Sequence, residues 1–262
     1  MSLLRSLFVI AFLFLSLKGS AQTVFWNEQF GSGCNSGQQV SGYTGPNGTW
    51  SVTSTGSNGG IANVWYISAE ENGEPVGSCG AACGTDPTLH LSSDPSWAGD
   101  LGAAYEAGSG FCGSDPSLCP LTHKRVESPT IDCGGRSNIT LSFKYIENGE
   151  GSIDNATLWY YDGSTWSQID PIPKSNICGS GQGEWEAFSI SLPASADNNP
   201  NVKIGFEWVN DDGGGSDPSF AVDSIELSEP GSTPAPVADF VSSDSSICVG
   251  ECVDFTDQSS NS

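Results

Sequence analysis

The clearest pattern in this chain is the alternation of apolar and polar residues. In 139–145 every second residue is aliphatic or aromatic, and 202–208 repeats the same period of two. A strand places successive side chains on opposite faces, so this period is typical of a strand with one buried and one exposed face. Both segments are therefore predicted to be half-buried antiparallel strands.

Shorter β-branched and aromatic runs, separated by Gly, Asn, Asp, Ser and Pro, extend this pattern from Thr23 to Leu227. They predict further strands at 24–30, 50–53, 64–68, 88–91, 156–161, 166–169, 188–192 and 220–227. Asp162-Gly163 predicts a hairpin turn between Tyr161 and Trp166. No useful segment has a helical period. Many short strands without intervening helices predict an all-β fold, and the length favours a two-sheet antiparallel jelly-roll sandwich.

The first 21 residues have the features of a secretory signal peptide. Arg5 precedes the apolar run Leu7 to Leu17, and the small residues Gly19 and Ala21 come just before Gln22. The apolar run is shorter than the roughly 20 residues that a membrane-spanning helix needs. We therefore expect residues 1–21 to be removed and the mature chain to be secreted or at the cell surface, without membrane insertion.

The rest of the chain divides at a proline-rich segment. Residues 22–228 form the predicted sandwich, 229–236 an extended linker, and 237–262 contain two further strand candidates. The last part is shorter than an unaided domain, so it is predicted to be the incomplete start of a second β-sandwich.

The predicted mature chain is strongly acidic. Without Arg5 and Lys18, six basic residues remain against 31 acidic ones. Such a charge repels nucleic acid and anionic membranes and favours cations as partners. The alternative is a solvated acidic surface that keeps an exported protein soluble.

Nine cysteines in an exported chain favour disulfides. Close spacing predicts three pairs, namely Cys79 with Cys83, Cys112 with Cys119, and Cys248 with Cys252. The sequence leaves open the partners of Cys34, Cys133 and Cys178. Zinc is the weaker alternative, because His90 and His123 have no cysteine-pair spacing around them.

Three stretches resemble the jelly-roll modules of the MAM and cleaved-adhesin type, found in surface proteins of gliding bacteria. They are Trp26-Asn-Glu-Gln-Phe30, Lys124 to Ile131 leading into 139–145, and Phe220 to Leu227. The resemblance implies a non-catalytic module that binds glycans or proteins and often holds structural calcium. The chain departs from that family at Ser224, where a second acid often follows the one at Asp223. Residues 236–240 and 247–257 similarly resemble the opening of a PKD domain, an immunoglobulin-like β-sandwich.

Two acids are predicted to lie on apolar strand faces. Glu28 shares its face with Trp26, and Asp223 shares its face with Ile225. A buried carboxylate must be protonated, paired or bound to a metal. If the first and last strands are neighbours, both acids meet the loop 210–217, which adds Asp211, Asp212 and Asp217. Carboxylates and loop carbonyls are the ligands of calcium, so this set predicts a structural calcium site. The alternative is a solvated turn, with both acids at frayed strand ends.

Four aromatic residues are candidate ligand-binding residues, namely Trp97, Tyr105, Trp159 and Tyr161. Exposed aromatic rings on a rigid sheet can stack on the apolar faces of pyranose sugars. The alternative for Trp159 is packing against the second sheet.

Catalytic motifs are absent from this sequence. It has no Gly-x-Ser-x-Gly elbow and no His-Glu-x-x-His, and His90 and His123 are its two imidazoles. The sequence therefore predicts a non-catalytic binding or adhesion module for an extracellular glycan or a surface protein. The alternatives are the accessory region of a secreted hydrolase whose catalytic domain follows residue 262, and a structural stalk.

Overall fold

The computed structural model describes residues 22–31, 38–80, 84–95, 102–106, 112, 115–179, 181–231, 239–243 and 253–259. The predicted signal peptide, most of the predicted linker, Cys34, Cys83, Trp97, Cys248 and Cys252 lie outside these residues.

Within the described residues the secondary structure is almost entirely β. The strands are β1 (Gln22–Glu28), β2 (Gln38–Gln39), β3 (Thr44–Gly45), β4 (Gly48–Thr49), β5 (Ser51–Ser54), β6 (Val64–Ser68), β7 (Thr88–Ser92), β8 (Thr122–Glu127), β9 (Thr140–Glu147), β10 (Asn155–Tyr161), β11 (Trp166–Pro171), β12 (Ile177–Gly179), β13 (Gln182–Gly183), β14 (Glu186–Ser191), β15 (Lys203–Asn210), β16 (Phe220–Pro230), β17 (Phe240–Ser242) and β18 (Phe255–Asp257). Short 3₁₀ helices span Val40–Gly42, Pro116–Leu118 and Ala194–Ala196.

Two large sheets form the sandwich. The seven-stranded sheet has the order β14-β9-β16-β7-β6-β2, with β1 also paired to β16, and the five-stranded sheet has the order β11-β10-β15-β8-β5. The ladders within both orders are antiparallel. The chain crosses repeatedly between the sheets, as it does from β15 to β16, which is the connectivity of a jelly roll. The predicted all-β sandwich is confirmed, and its first and last strands are neighbours.

Aromatic side chains from the two sheets meet in the core. The ring centroids of Phe143 on β9 and Phe206 on β15 lie 5.3 Å apart, and those of Phe206 and Phe220 on β16 lie 5.4 Å apart. Trp50, Trp65 and Phe206 have no measurable exposure. The interior is therefore closed by large rings, which contribute most of the apolar area buried in such a sandwich.

The last strand of the sandwich contains a bulge that changes which side chains face the core. Asp223 pairs with Lys144 of β9, yet Glu226 pairs with Ser142, and Ser224 has a φ of 52°. Val222 before the bulge and Ile225 after it both belong to the main core cluster. The prediction that Asp223 shares a face with Ile225 is wrong, because the extra residue interrupts the alternation.

Two disulfides join cysteines of the described residues. Cys112 bonds to Cys119, which confirms that predicted pair, and Cys79 bonds to Cys178, 99 positions away. The predicted pair of Cys79 with Cys83 is wrong. Cys79 forms a β-bridge with Glu184, which brings it beside the β12–β13 hairpin that carries Cys178. Loop length alone did not reveal this long-range contact.

Cys133 is a buried free thiol. Burial, together with the nearby charge of Asp132, raises the pKa of Cys133 to about 11.

The chain divides into two compact units, and the sandwich is the unit Val24–Glu229. In the other unit, β17 and β18 form an antiparallel hairpin in which the rings of Phe240 and Phe255 lie 5.5 Å apart. The start of a PKD-like domain stays a prediction.

Candidate functional site

The outer face of the five-stranded sheet collects aromatic and charged side chains. Buried and partly exposed residues alternate along β10, so Trp159 and Tyr161 point away from the core. In the neighbouring ladders Gly205 lies opposite Trp159, and Glu207 lies opposite Arg125 of β8. We refer to six of these residues as the aromatic face, namely Arg125, Glu127, Trp159, Tyr161, Trp166 and Glu207.

Arg125 lies at the centre of the aromatic face and is held by two carboxylates. Its Nε and Nη2 donate to Glu127 Oε1 at 3.2 and 3.1 Å, and its Nη1 lies 3.8 Å from Glu207 Oε2. The side chains of this trio are only about a tenth exposed. Two acids and one base leave this part of the face with one net negative charge.

The tryptophans pack against the same arginine. The Arg125 Cζ lies 4.1 Å from the ring centroid of Trp166 and 5.3 Å from that of Trp159. Tyr161 continues the row, since its ring centroid is 5.2 Å from that of Trp166. All three aromatic side chains stay partly exposed. The cation–π contacts therefore hold the rings in place while part of each ring remains open to solvent.

Gly205 makes this packing possible. A Cβ built on Gly205 would lie 2.9 Å from Arg125 Cδ and 3.0 Å from Trp166 Cζ3. Any side chain here would force Arg125 or Trp166 to move, so the glycine allows both to lie close to the sheet.

The two glutamates are positioned differently. Thr55 Oγ1 donates to Glu207 Oε1 at 2.7 Å, and Glu207 Oε2 is buried beside Arg125. Glu127 uses Oε1 for the arginine, and among the described residues no group donates to its Oε2. Glu127 can therefore still accept a hydrogen bond from outside the protein.

Two of the four predicted ligand-binding residues lie on the aromatic face. Trp159 and Tyr161 do, and the alternative that Trp159 packs against the second sheet is wrong because its side chain faces outward. Tyr105 is buried against Trp208, with ring centroids 6.3 Å apart, so it has a structural role. Trp97 lies outside the described residues.

Sequence reasoning missed four residues of the aromatic face. Trp166 begins a predicted strand after the Asp162-Gly163 turn, but it is not among the predicted ligand-binding residues, although it is the register partner of Tyr161. Arg125 and Glu127 lie on β8, whose charged sequence Thr-His-Lys-Arg-Val-Glu was not predicted as a strand. The alternation of apolar and polar residues in 202–208 places Glu207 on an exposed face. Only the register of the β8–β15 ladder shows that Glu207 lies opposite Arg125.

Glu28, the first predicted calcium ligand, is buried and fully hydrogen-bonded. Its Oε1 accepts from the backbone N–H of Gln29 and of Phe30 at 3.2 Å each, and from Tyr43 Oη at 3.3 Å. Its Oε2 accepts from Trp50 Nε1 at 3.2 Å. Burial and the Glu28 carboxylate raise the pKa of Tyr43. Four donors converge on this carboxylate, which leaves little capacity for a cation.

Asp223, the second predicted ligand, has a different environment. It is fully buried, and its Oδ2 lies 3.1 Å from Lys144 Nζ and accepts from Ser224 Oγ at 3.0 Å. Asp86 lies nearby, and burial together with the charge of Asp223 raises the pKa of Asp86. The bulge in β16 turns Asp223 away from the main core to which Trp26 and Phe30, the neighbours of Glu28, belong. Among the residues that the structure describes, the two acids share no hydrogen-bond or ion-pair partner.

The three loop acids also point to separate partners. Asp211 Oδ1 accepts from Gly213 N–H at 2.7 Å, and Asp212 Oδ2 accepts from Cys112 N–H. Tyr105 Oη lies 3.3 Å from Asp217 Oδ1, and burial raises the pKa of Asp217 to about 6.

Two further buried acids lie near this loop. Asp154 Oδ1 accepts from Asp211 N–H at 3.3 Å, and burial, with the charges of Asp211 and Glu150, raises the pKa of Asp154 to about 6. Glu147 Oε1 pairs with Lys174 Nζ at 2.7 Å, and burial raises the pKa of Glu147 to about 7.

These positions do not fit one calcium ion. Within the described part of the chain, one group of three His, Cys, Asp or Glu ligand atoms lies within 4.8 Å, and it consists of Cys112, Cys119 and Asp212. Both cysteines of that group are joined in a disulfide. The structure thus does not assemble Glu28, Asp211, Asp212, Asp217 and Asp223 into a single site.

A cavity of about 270 Å³ lies beside β5, β6 and β8, with Lys124 in its lining. The Lys124 Nζ already donates to the carbonyls of Ala62 and Asn63, at 3.1 and 2.7 Å. Lys124, one of the two charged residues that line the cavity with Asp94, is thus used by the fold, and the aromatic face is the stronger candidate site.

No helix among the described residues has the length and apolar character to cross a membrane. No family model and no curated protein matches the chain.

Solved structures give low-scoring similarities. The K1 cleaved adhesin domain of Lys-gingipain from Porphyromonas gingivalis is 13% identical, with a TM-score of 0.38, over 74% of this chain and 98% of that domain. The K3 cleaved adhesin domain of the same protein is 8% identical, with a TM-score of 0.35, over 73% and 96%. The CBM22-1 xylan-binding domain of Xyn10C from Paenibacillus barcinonensis is 10% identical, with a TM-score of 0.37, over 81% and 97%.

Proposed function

We propose that this chain is an extracellular carbohydrate-binding module whose ligand lies on the aromatic face. The observation that supports this proposal is the row of three partly exposed rings, Tyr161, Trp166 and Trp159, held around one clamped arginine. A pyranose ring has apolar C–H faces and hydroxyl edges, so it matches aromatic rings flanked by hydrogen-bonding groups.

The rings are ordered before a ligand arrives. Trp159 Nε1 donates to Thr157 Oγ1 at 2.9 Å, and Arg125 packs against both tryptophans. Immobilising a flexible side chain on binding costs about 0.5–1.5 kcal/mol, and this arrangement has already met part of that cost during folding.

The charge of the protein favours a glycan over single-stranded nucleic acid, the other common ligand of aromatic surfaces. Single-stranded nucleic acid also stacks on aromatic side chains, but it needs a basic groove along its phosphates. The chain has 31 acidic residues against 8 basic ones, and Arg125 is already paired with Glu127. A ligand without a dense negative charge is therefore favoured.

The test is binding of the full chain to a panel of immobilised polysaccharides and glycans. Trp159→Ala and Trp166→Ala should each weaken binding about tenfold or more, because a tryptophan at the centre of an interface can carry about 2 kcal/mol. Phe25→Ala is the matched control. Its ring, on β1 of the other sheet, is also partly buried and lies 4.6 Å from an arginine Cζ, that of Arg136.

Thermal melts would establish that each variant is folded. The proposal is contradicted if wild type binds nothing in the panel, or if it binds and the two tryptophan variants bind as well as Phe25→Ala. Binding that is confined to proteins and is lost in the tryptophan variants would make the aromatic face an adhesion site for a protein.

A further inference from the structure

The aromatic face contains a cation whose charge is offset by two carboxylates of the protein. One edge of the Arg125 guanidinium donates twice to Glu127 Oε1, and its remaining amino group faces Glu207 Oε2. Its Cζ lies over the rings of Trp166 and Trp159. One edge of the guanidinium is thus hydrogen-bonded to Glu127, whereas Nη1 is ion-paired with Glu207 at a distance too long for a hydrogen bond.

An acidic sugar that approaches Arg125 would also approach these two carboxylates, and would compete with them for the arginine. Displacing Glu207 would leave its buried Oε2 without the nearest positive charge. An uncompensated buried charge is costly, more so than the gain from an equivalent new ion pair. A carboxylate or sulfate placed beside Arg125 would therefore meet two glutamates as well as the arginine.

Two other basic residues lie on this face of the sheet. His123 is the next outward residue to Arg125 on β8, with Val209 opposite it. Lys203 lies opposite Tyr161 at the end of the β10–β15 ladder, and Gly205 separates it from Glu207. The immediate surroundings of the Arg125 guanidinium are therefore set by Glu127 and Glu207.

The site also extends across several strands. Trp166 is on β11, Trp159 on β10 and Arg125 on β8, with β15 between the last two. Their side chains nevertheless converge, because the Arg125 Cζ lies 4.1 Å from the ring centroid of Trp166 and both groups lie close to Gly205. Contacts of 5.2, 4.1 and 5.3 Å join Tyr161, Trp166, Arg125 and Trp159 in a row, so a ligand on this face can touch more than one ring.

Given the carbohydrate-binding function proposed above, we propose that the aromatic face selects uncharged glycans, with Glu127 and Glu207 acting as specificity-determining residues against acidic ones. The rings supply stacking, and Glu127 Oε2 accepts from a sugar hydroxyl. The two carboxylates also offset the charge of Arg125, which weakens its attraction for an anion. Specificity of this kind comes from repulsion of the wrong ligand as well as attraction of the right one.

The experiment is affinity electrophoresis of the full chain in gels that contain neutral polysaccharides, such as mixed-linkage β-glucan and galactomannan, or anionic ones, such as polygalacturonate and alginate. Wild type should be retarded by at least one neutral polymer and by none of the anionic ones. The carboxymethylated form of a neutral polymer that binds should bind about fivefold or more weakly at low salt, since like charges at a partly screened site repel.

Glu127→Gln and Glu207→Gln keep the side-chain shape and remove one negative charge each. Each should lower the ratio of the affinity for the neutral polymer to the affinity for its carboxymethylated form by about threefold or more. Glu226→Gln is the charge-matched control, because Glu226 lies on β16 of the other sheet. Salt should weaken the effect of the two variants, since screening acts on the same repulsion.

The outcomes separate the two proposals. No retardation by any polymer contradicts the carbohydrate-binding function itself. If an anionic polymer retards wild type, and Trp166→Ala abolishes that retardation, the aromatic face is supported as the binding site. The selection against acidic glycans would then be overturned. Equal behaviour of Glu127→Gln, Glu207→Gln and Glu226→Gln would overturn the role of the two glutamates, with thermal melts confirming that all three are folded.

Discussion

Glu28→Gln is the most direct test of how this fold accommodates a buried acid. The carboxylate accepts from two backbone N–H groups, from Tyr43 and from Trp50. Glutamine has the same shape but only one acceptor oxygen, and its other terminal atom is a donor. In one orientation the new NH₂ group faces Trp50 Nε1–H, and in the other it faces the N–H groups of Gln29 and Phe30.

The magnitude follows from these contacts. At least one buried donor is left without an acceptor, which costs about 1–3 kcal/mol. The remaining hydrogen bonds lose their charge assistance, which roughly halves their strength. The free energy of unfolding should therefore fall by about 2–4 kcal/mol. For a domain of this size that corresponds to a fall in Tm of about 4–16 °C.

The assay is a thermal melt of wild type and Glu28→Gln, each with excess calcium and with a chelator. The fall in Tm should be the same in both solutions, because the partners of Glu28 are donors of the chain itself. Glu226→Gln, a partly exposed glutamate of the same sheet, should change Tm little.

Two results would refute this reasoning. Glu28→Gln could have the same Tm as wild type, which would mean that the four hydrogen bonds contribute nothing to stability. Alternatively, chelation could lower the Tm of wild type as much as the substitution does while leaving Glu28→Gln unchanged. That pattern would make Glu28 a calcium ligand, as the sequence predicts.

Three further predictions test other parts of the structure. Replacing both Cys79 and Cys178 by Ser should lower stability by about 2–5 kcal/mol, and peptide mapping without reduction should recover the Cys79–Cys178 linkage rather than a bond to Cys83. Burial raises the pKa values of Asp154 and Asp217 to about 6 and that of Glu147 to about 7, so the folded state binds more protons than the unfolded one. The stability that these three acids contribute should be full below about pH 4 and lost as pH rises through 6 to 7, so Tm should fall over this range. Asp217→Asn should make that fall in Tm smaller. Gly205→Ala should weaken glycan binding, because its Cβ would displace Arg125 or Trp166, and should also lower Tm, because Arg125 is buried and the Val126 carbonyl lies 3.1 Å from that Cβ; unchanged binding would count against the proposed site.

Local sequence pattern was sufficient for most of the strands. The segment 64–68 is β6 as predicted, and 139–145 lies almost entirely within β9. The Asp162 turn forms as expected, with the backbone N–H of Ser164 and of Thr165 donating to its carboxylate. These features depend on neighbours in sequence, which alternation and turn chemistry capture.

β8 was missed for a physical reason that also concerns function. Its outward residues include Arg125 and Glu127, and Lys124, on the other side, donates to two carbonyls at the edge of the core. A strand whose charges are all paired within the protein has a sequence that resembles an exposed loop. Its strand character becomes evident only from the ladders to β15 and β5.

Glu28 and Arg125 follow the same rule, that a poorly hydrated charge needs a partner. The predicted partner of Glu28 is a calcium ion, whereas the structure gives both residues partners from the chain itself. For Glu28 the sequence showed the need correctly, but the partners came from Tyr43 and Trp50, 15 and 22 positions along the chain. For Arg125 they came in part from Glu207, on a neighbouring strand. A sequence can show that a charge will be buried, whereas long-range register decides what pairs with it. Because the fold itself pairs both of these charges, stacking on Trp159, Trp166 and Tyr161 is left as the main source of affinity for a ligand.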